Sequence, residues 1–147
     1  LPDLLMVAGG TGLAPLRAVL EQIDIGWDAS GSGPRVHLFH GSKMPWNLYD
    51  NEHLTKLARK PWFDYTPVVS EDNTYPGARG LVGSVAAKAN DWSQRTAMVC
   101  GSPDMVRYTV RELTAAGVPA GSIRREQFDF SGSASPTQEL QDAWETR

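Results

Sequence analysis

The sequence predicts an α/β fold: five parallel strands in one sheet, covered by helices on both faces in a three-layer α/β/α arrangement. Three observations predict it. Short apolar runs alternate with amphipathic segments five times along the 147 residues. A glycine-rich run, Gly9-Gly10-Thr11-Gly12, separates the first apolar run from the first amphipathic one. The later apolar runs also end in small or turn-forming residues, at Gly41-Ser42-Lys43 and Gly101-Ser102-Pro103. Right-handed crossovers leave few topologies for such a chain. In these sheets ligands bind beyond the carboxyl ends of the strands, where strand order reverses.

The first strand is read over Asp3 to Ala8, buried on both faces. A helix follows from about Leu13 to Ile25, because Leu13, Leu16, Leu20 and Ile23 fall on one face at helical spacing. Gly26 is read as its stop, and Trp27 to Pro34 as a polar, mobile connection. Arg35 to His40 forms the second strand. Asn47 to Arg59 reads as a helix with Leu48, Leu54 and Leu57 inward. Phe63 to Val69 is the third strand, Ser70 to Gly80 a loop, and Leu81 to Ala89 a short helix interrupted by Gly83. Thr96 to Cys100 is the fourth strand. The helix after it is signalled by Ser102 as a cap, Pro103 at the first position and Asp104 at the positive end. Met105, Val106, Val110 and Leu113 form its apolar stripe, and Gly117 stops it. Ser122 to Phe128 is the fifth strand. Residues 131–147 read as a flexible or short helical tail, with Phe130 and Trp144 able to pack it back onto the domain.

Length fits one domain with a real core. A net charge of -3 gives no nucleic-acid footprint. No apolar run is long enough to span a membrane, and no signal peptide is visible. A single cysteine excludes an internal disulfide and any cluster held by four cysteines of this chain, and points to a reducing, cytoplasmic setting. The start at Leu1 marks the sequence as a piece of a longer protein.

The chemistry centres on the glycine turn. Gly9, Gly10 and Gly12 permit unusual backbone angles and remove the Cβ atoms that would hold a ligand away. Unpaired N–H groups at the start of the next helix form an anion site, and Pro15 fits its first turn. The run lacks the Lys-Ser or Lys-Thr of a Walker loop and the spacing of G-x-G-x-x-G. The turn, Ser42-Lys43 and Cys100-Gly101 all lie at carboxyl ends and so share one rim.

Gly9-Gly10-Thr11-Gly12-Leu13-Ala14-Pro15 and Cys100-Gly101-Ser102-Pro103-Asp104-Met105, followed by Glu126-Gln127-Phe128, resemble the pyridine-nucleotide half of the ferredoxin–NADP reductase family, a Rossmann-like fold. The resemblance covers Leu4 to about Phe130 and implies an NAD(P)-binding domain over residues 1–130. It gives Gly9, Gly10, Thr11, Gly12 and Pro15 the cofactor pyrophosphate, with Thr11 near the nicotinamide. Gly101, Ser102, Pro103 and Met105 fall in its second binding motif. The same resemblance sets Cys100 against the nicotinamide, makes Glu126 a catalytic-site residue, and places Phe128 near the flavin ring. Ser102 stands where the family's second motif usually has proline.

An FAD-binding barrel normally precedes this half. Its Arg-x-Tyr-Ser motif is missing from these residues, so FAD is expected on a preceding domain of the same polypeptide. Electrons would pass on to a haem, an iron–sulfur centre or a separate protein, with a flavohaemoglobin-like reductase as the preferred version. No acidic residue stands from His40 to Lys43 to favour NAD, and Ser42 with Lys43 partly matches the residues that hold the extra phosphate of NADP.

Two other classes compete. One is an electron-transfer subunit of a dehydrogenase, which carries a cysteine cluster that a single cysteine does not allow. The other is a non-catalytic nucleotide-sensing module on the same fold. The individual residues also have plainer roles. Cys100 alone reads as a small buried hydrophobe, and Lys43 as a solvated charge. His37 and His40 lie three apart on a strand, so they face opposite ways and do not share a metal; both read as structural, although His40 is near enough to the rim to touch adenosine. Arg79, Arg107, Arg111, Arg124 and Arg125 read as solvated faces, or, for the last four, as a docking surface for an acidic electron partner.

Overall fold

The computed structural model describes residues 2–127. Phe128, Phe130 and the tail at 131–147 lie outside the described residues, and so do the expectations placed on them. Six strands form one parallel sheet: β1 (Leu4–Gly9), β2 (Val36–Ser42), β3 (Phe63–Val69), β4 (Ala78–Arg79), β5 (Thr96–Gly101) and β6 (Ile123–Gln127). Their order is β4-β3-β2-β1-β5-β6. The chain builds outward from β1 on one side, then returns to pair β5 with its other edge, so strand order reverses between β1 and β5. The sixth strand is the two-residue β4, paired Val68↔Ala78 and Val69↔Arg79. It falls in the stretch read as loop, because two residues carry no periodicity to detect.

Four helices cover the sheet: α1 (Leu13–Ser30), α2 (Asn51–Leu57), α3 (Val82–Ala89) and α4 (Pro103–Ala115). Alternation along β1 divides the core. Leu4, Met6 and Ala8 pack with Leu13, Leu16, Leu20 and Ile23 of α1, while Leu5 and Val7 pack with Val82 and Ala86 of α3 and Val106 and Leu113 of α4. Leu16 is wholly buried. Cutting it to alanine should cost about 2–5 kcal/mol, the usual range for a buried leucine.

Two expected helices change shape. Gly26 does not end α1, which runs on to Ser30 and closes at Gly31 with φ 71°, its N–H donating to the Trp27 carbonyl. The extension is held by tertiary contacts. Trp27 stacks on Trp62 at 5.9 Å, its Nε1 donates to the Pro34 carbonyl at 2.8 Å, and Lys60 pairs with Asp24 at 2.5 Å and Asp28 at 3.3 Å. Against these a mid-helix glycine costs only about 1 kcal/mol. The helix expected over Asn47 to Arg59 is broken. A 3-10 turn at Pro45–Asn47 is followed by Asp50 at φ 67°, and α2 starts only at Asn51. Arg17 of α1 pairs with Asp50 at 2.9 Å and anchors the bend. Of the expected inward residues, Leu54 and Leu48 are buried and Leu57 is half-buried.

Candidate functional site

The glycine turn occupies the point where strand order reverses. Gly9 ends β1, Gly10–Gly12 make a single 3-10 turn, and α1 begins at Leu13. The glycines are there for different reasons. Gly10 has φ +54°, and a Cβ built on it would meet nothing within 4 Å, so it faces open space. A Cβ on Gly12 would stand 2.2 Å from the Cys100 carbonyl oxygen, so Gly12 lets the turn lie against the backbone of β5. Gly9 and Gly101 both make room for Met105 of α4. A left-handed backbone beside open space therefore accounts for Gly10, and packing accounts for the other three. No side chain caps either the 3-10 turn or α1, and neither has an acidic residue in its first turn. Their leading N–H groups are left for a ligand or solvent.

The second motif is built as a helix start. Ser102 Oγ accepts from the Met105 N–H at 3.2 Å, Pro103 is the first residue of α4, and Asp104 lies in its first turn. Proline at the usual family position is thus replaced by a working serine cap. A third close approach seats α3. A Cβ on Gly41 would stand 2.5 Å from Val82 Cβ, which lets α3 meet the end of β2.

These elements enclose one large cleft of about 1310 Å³. It runs from the first turn of α1, over the rim, to the groove between α3 and α4. Of the sequence-predicted residues it brings together Gly9, Gly10, Thr11, Pro15, Ser42, Lys43, Ser102 and Met105. Gly12 and Gly101 are buried behind it, and Pro103 is half-buried on α4. The Ser42 hydroxyl donates to the Met44 carbonyl at 2.8 Å, and Lys43 is exposed. Sequence reasoning missed the wall formed by Gly80, Leu81 and Tyr108, and it read Arg107 and Arg111 as solvated faces or a docking surface; both are exposed, and both line the cleft. Arg107 pairs with Asp104, and Arg111 lies over the Tyr108 ring at 5.7 Å. The signal was present as polar residues at 104, 107, 108 and 111, one helical face, but only the α3–α4 groove turns that face toward a cleft. Three cations and one carboxylate line it, so it is locally positive on a chain of net charge -3.

Cys100 and Glu126 stand on the other side of the rim, under α1. They are register partners on β5 and β6, so their side chains share a face. Cys100 is wholly buried. Burial pushes its thiol pKa up, and the nearby Glu126 carboxylate pushes it further in the same direction. The thiol is therefore protonated at neutral pH, a small polarisable group and not a nucleophile. His40 is also wholly buried, and its Nε2 lies 2.9 Å from the Gly10 carbonyl oxygen. It sits beneath the turn, in keeping with the structural role read for it, and does not line the cleft where adenosine would be met. His37 faces the other way, bonded to Thr66 at 2.8 Å and stacked on Phe39. Among the described residues no cluster of His, Cys, Asp and Glu can hold a metal, and no helix is long and apolar enough to cross a membrane.

A glycine turn without side-chain caps at the reversal of strand order, facing a positive cleft, is the general arrangement of α/β domains that bind phosphate-bearing nucleotides. Residues 6–111 match the family model described as the oxidoreductase NAD-binding domain, and the chain belongs to that family. It is 32% identical over 130 residues to the toluate 1,2-dioxygenase electron transfer component of Pseudomonas putida, covering 87% of this chain and 38% of that protein. The fold matches a cytochrome P450 reductase from Amycolatopsis at a TM-score of 0.73 and 26% identity, covering 86% of this chain and 38% of that one. A ferredoxin NADP+ reductase from Neisseria gonorrhoeae with bound FAD and NADP aligns at a TM-score of 0.68 and 26% identity, covering 86% and 56%. The chain thus spans well under half the length of the first curated relatives it matches, 36–39% of each. The cleft fits the family's dinucleotide. It is larger than the roughly 300–1,000 Å³ of common ligand pockets, and Gly10 leaves the approach to the backbone clear.

Proposed function

We propose that this chain is the NAD(P)H-binding part of an FAD-dependent reductase, with the flavin held by a preceding domain of the same polypeptide. The observation that carries the reading is the bare Gly10–Gly12 turn opening onto the positive cleft. In this reading the domain is the stretch to about residue 130. Gly9, Gly10, Thr11 and Pro15 form the pyrophosphate cradle with Gly12 supporting it from behind, and Ser102 and Met105 form its opposite wall, backed by Gly101 and Pro103. When bound, the nicotinamide nucleotide supplies a hydride for the flavin. The protein contributes orientation and exclusion of water, because ring-to-ring transfer needs near contact and no strong base. In this reading Cys100 and Glu126 lie under the α1 side of the rim at the ends of β5 and β6, where the buried neutral thiol backs the nicotinamide site. Phe128, the next residue in sequence after Gln127, would stand near the flavin in this reading.

Ser42 and Lys43 favour NADPH over NADH. They stand at the end of β2 with no carboxylate from His40 to Lys43 to take a ribose diol. The curated relative is named an electron transfer component of a dioxygenase, which favours an oxygenase or its iron–sulfur partner as acceptor over a haem head. A cytoplasmic setting accords with the lone reduced cysteine.

Titrating the 147-residue chain with NADH and, separately, NADPH tests the binding reading. Adding each to the polypeptide that carries the flavin domain, while following flavin absorbance, tests the reductase reading. Bleaching with one nucleotide establishes it and names the cofactor. Binding without bleaching identifies a sensing module, and no binding of either nucleotide refutes both.

A further inference from the structure

Beneath the glycine turn, a group on β2 makes a contact that no sequence motif announces. The last inward-facing residue of β2 is His40, whose neighbours on that face, Val36 and Leu38, are ordinary core residues. A wholly buried imidazole among them needs a reason. Its Nε2 is 2.9 Å from the Gly10 carbonyl oxygen. A carbonyl only accepts, so Nε2 carries the proton and donates. That bond also fixes the tautomer and leaves Nδ1 as a buried acceptor without a partner. The ring is held edge-on to Tyr49 at 5.6 Å, and the Tyr49 hydroxyl approaches the Thr11 carbonyl at 3.4 Å. The loop carrying Tyr49 is tied to α1 by the Arg17–Asp50 pair.

Peptide geometry gives this contact a consequence. In a trans peptide the C=O and N–H point in opposite directions. No cis bond is present among the described residues. Drawing the Gly10 carbonyl down to His40 therefore turns the Thr11 N–H up, away from the core. Thr11 is within the first turn, where the helix offers that N–H no acceptor, and it lines the cleft. Gly10, at φ +54°, has no Cβ and so little intrinsic preference to hold this orientation by itself. We propose that His40 is a positioning residue for the nucleotide, its Nε2–H bond to the Gly10 carbonyl setting the Gly10–Thr11 peptide so that the Thr11 N–H faces the bound phosphates.

This rests on the proposed nucleotide-binding reading, and the experiment separates the two. NADH and NADPH are titrated into the 147-residue chain and into three variants. His40→Gln keeps an N–H donor at the reach of Nε2, His40→Asn is polar but too short to reach, and His40→Leu has no donor. Wild type and H40Q should bind within about threefold of each other. H40N and H40L should bind about tenfold more weakly, the scale of one lost hydrogen bond. Amide NMR of the ligand-free chain should show the Thr11 N–H signal moved in H40N and H40L and restored in H40Q. Should H40L fail to fold, H40N against H40Q carries the comparison. Unchanged affinity in H40N, or H40Q no better than H40N, overturns the positioning role while the nucleotide reading stands. Absence of binding by the wild type overturns both.

Discussion

The two sides of the glycine turn are built in opposite ways. On the α3–α4 side the rim opens into a cleft with bare N–H groups, small residues and three cations. On the α1 side it is sealed. His40 and Cys100 are wholly buried there, and Glu126 is half-buried beside Cys100. The open side keeps its polar groups available because solvent or a ligand satisfies them. The sealed side favours the neutral forms of the Cys100 thiol and the His40 imidazole, because burial penalises charge. One backbone segment serves both, and its glycines divide between them: Gly10 faces space, while Gly12 touches the β5 backbone.

The sharpest way to break the contrast is to give both glycines the same methyl. Gly12→Ala drives a Cβ to 2.2 Å from a backbone oxygen, which the rigid strand does not yield. It should cost about 3 kcal/mol or more. Gly10→Ala meets no atom and pays only for its left-handed backbone, about 1–2 kcal/mol. Thermal unfolding of both variants checks the order, and equal losses would remove the distinction between a packing glycine and an access glycine.

Acidification should next weaken the imidazole pair, one on each face of the sheet. Burial lowers the pKa of both His37 and His40 from the ordinary 6.5, so the folded chain resists protonation more than the unfolded chain does. Stability is then fully present above pH 6.5 and is lost as pH falls below it. For His40, burial outweighs the raising effects of the Gly10 bond and of Asp50. For His37, burial and Arg95 outweigh Asp64. Urea midpoints should drop between pH 7.5 and about pH 5, a window above the ordinary 3.8 from which Asp72 and Asp91 are held down. A flat profile there would mean that the imidazoles are not sealed. Protonated His40 still donates from Nε2, so the lost stability should exceed any loss of nucleotide affinity over the same range.

Cys100 tests the seal directly. A buried thiol with a raised pKa should resist a thiol-reactive dye at pH 8 while the chain is folded, and react at once in denaturant. Rapid labelling of the folded chain would place the thiol on the open side. The smallest effect is expected at Thr109, between α3 and α4. Its Oγ1 is buried without a partner, and Gly83 has no room for a Cβ above it. Thr109→Val removes an unsatisfied hydroxyl at nearly constant shape, and should be neutral or stabilising by up to about 1 kcal/mol in urea titration.

The order of strands and helices was legible because its signals are local. Ser102, Pro103 and Asp104 announce α4 within three residues, and apolar spacing announces α1. The shared rim followed from parallel alternation alone, and the Gly9↔Gly41 and Ala8↔Cys100 pairings lie where that logic puts them. Other features depended on partners far along the chain. Gly26 reads as a stop until Trp27 finds Trp62, and the exposed Arg107 comes to line a cleft only because α3 closes a groove against α4. His40 reads as structural, but the Gly10 carbonyl it holds shows only in the fold.

The sequence by itself determined the parallel α/β class, the glycine turn at the head of α1 and the serine-capped start of α4, since backbone angles and caps are decided within a few residues. Only the tertiary structure decided which glycine serves the ligand and which serves packing, where α1 ends, and which polar side chains turn into the cleft. Those outcomes depend on contacts between residues 30 to 90 positions apart, whose balance of packing against backbone preference no local pattern encodes.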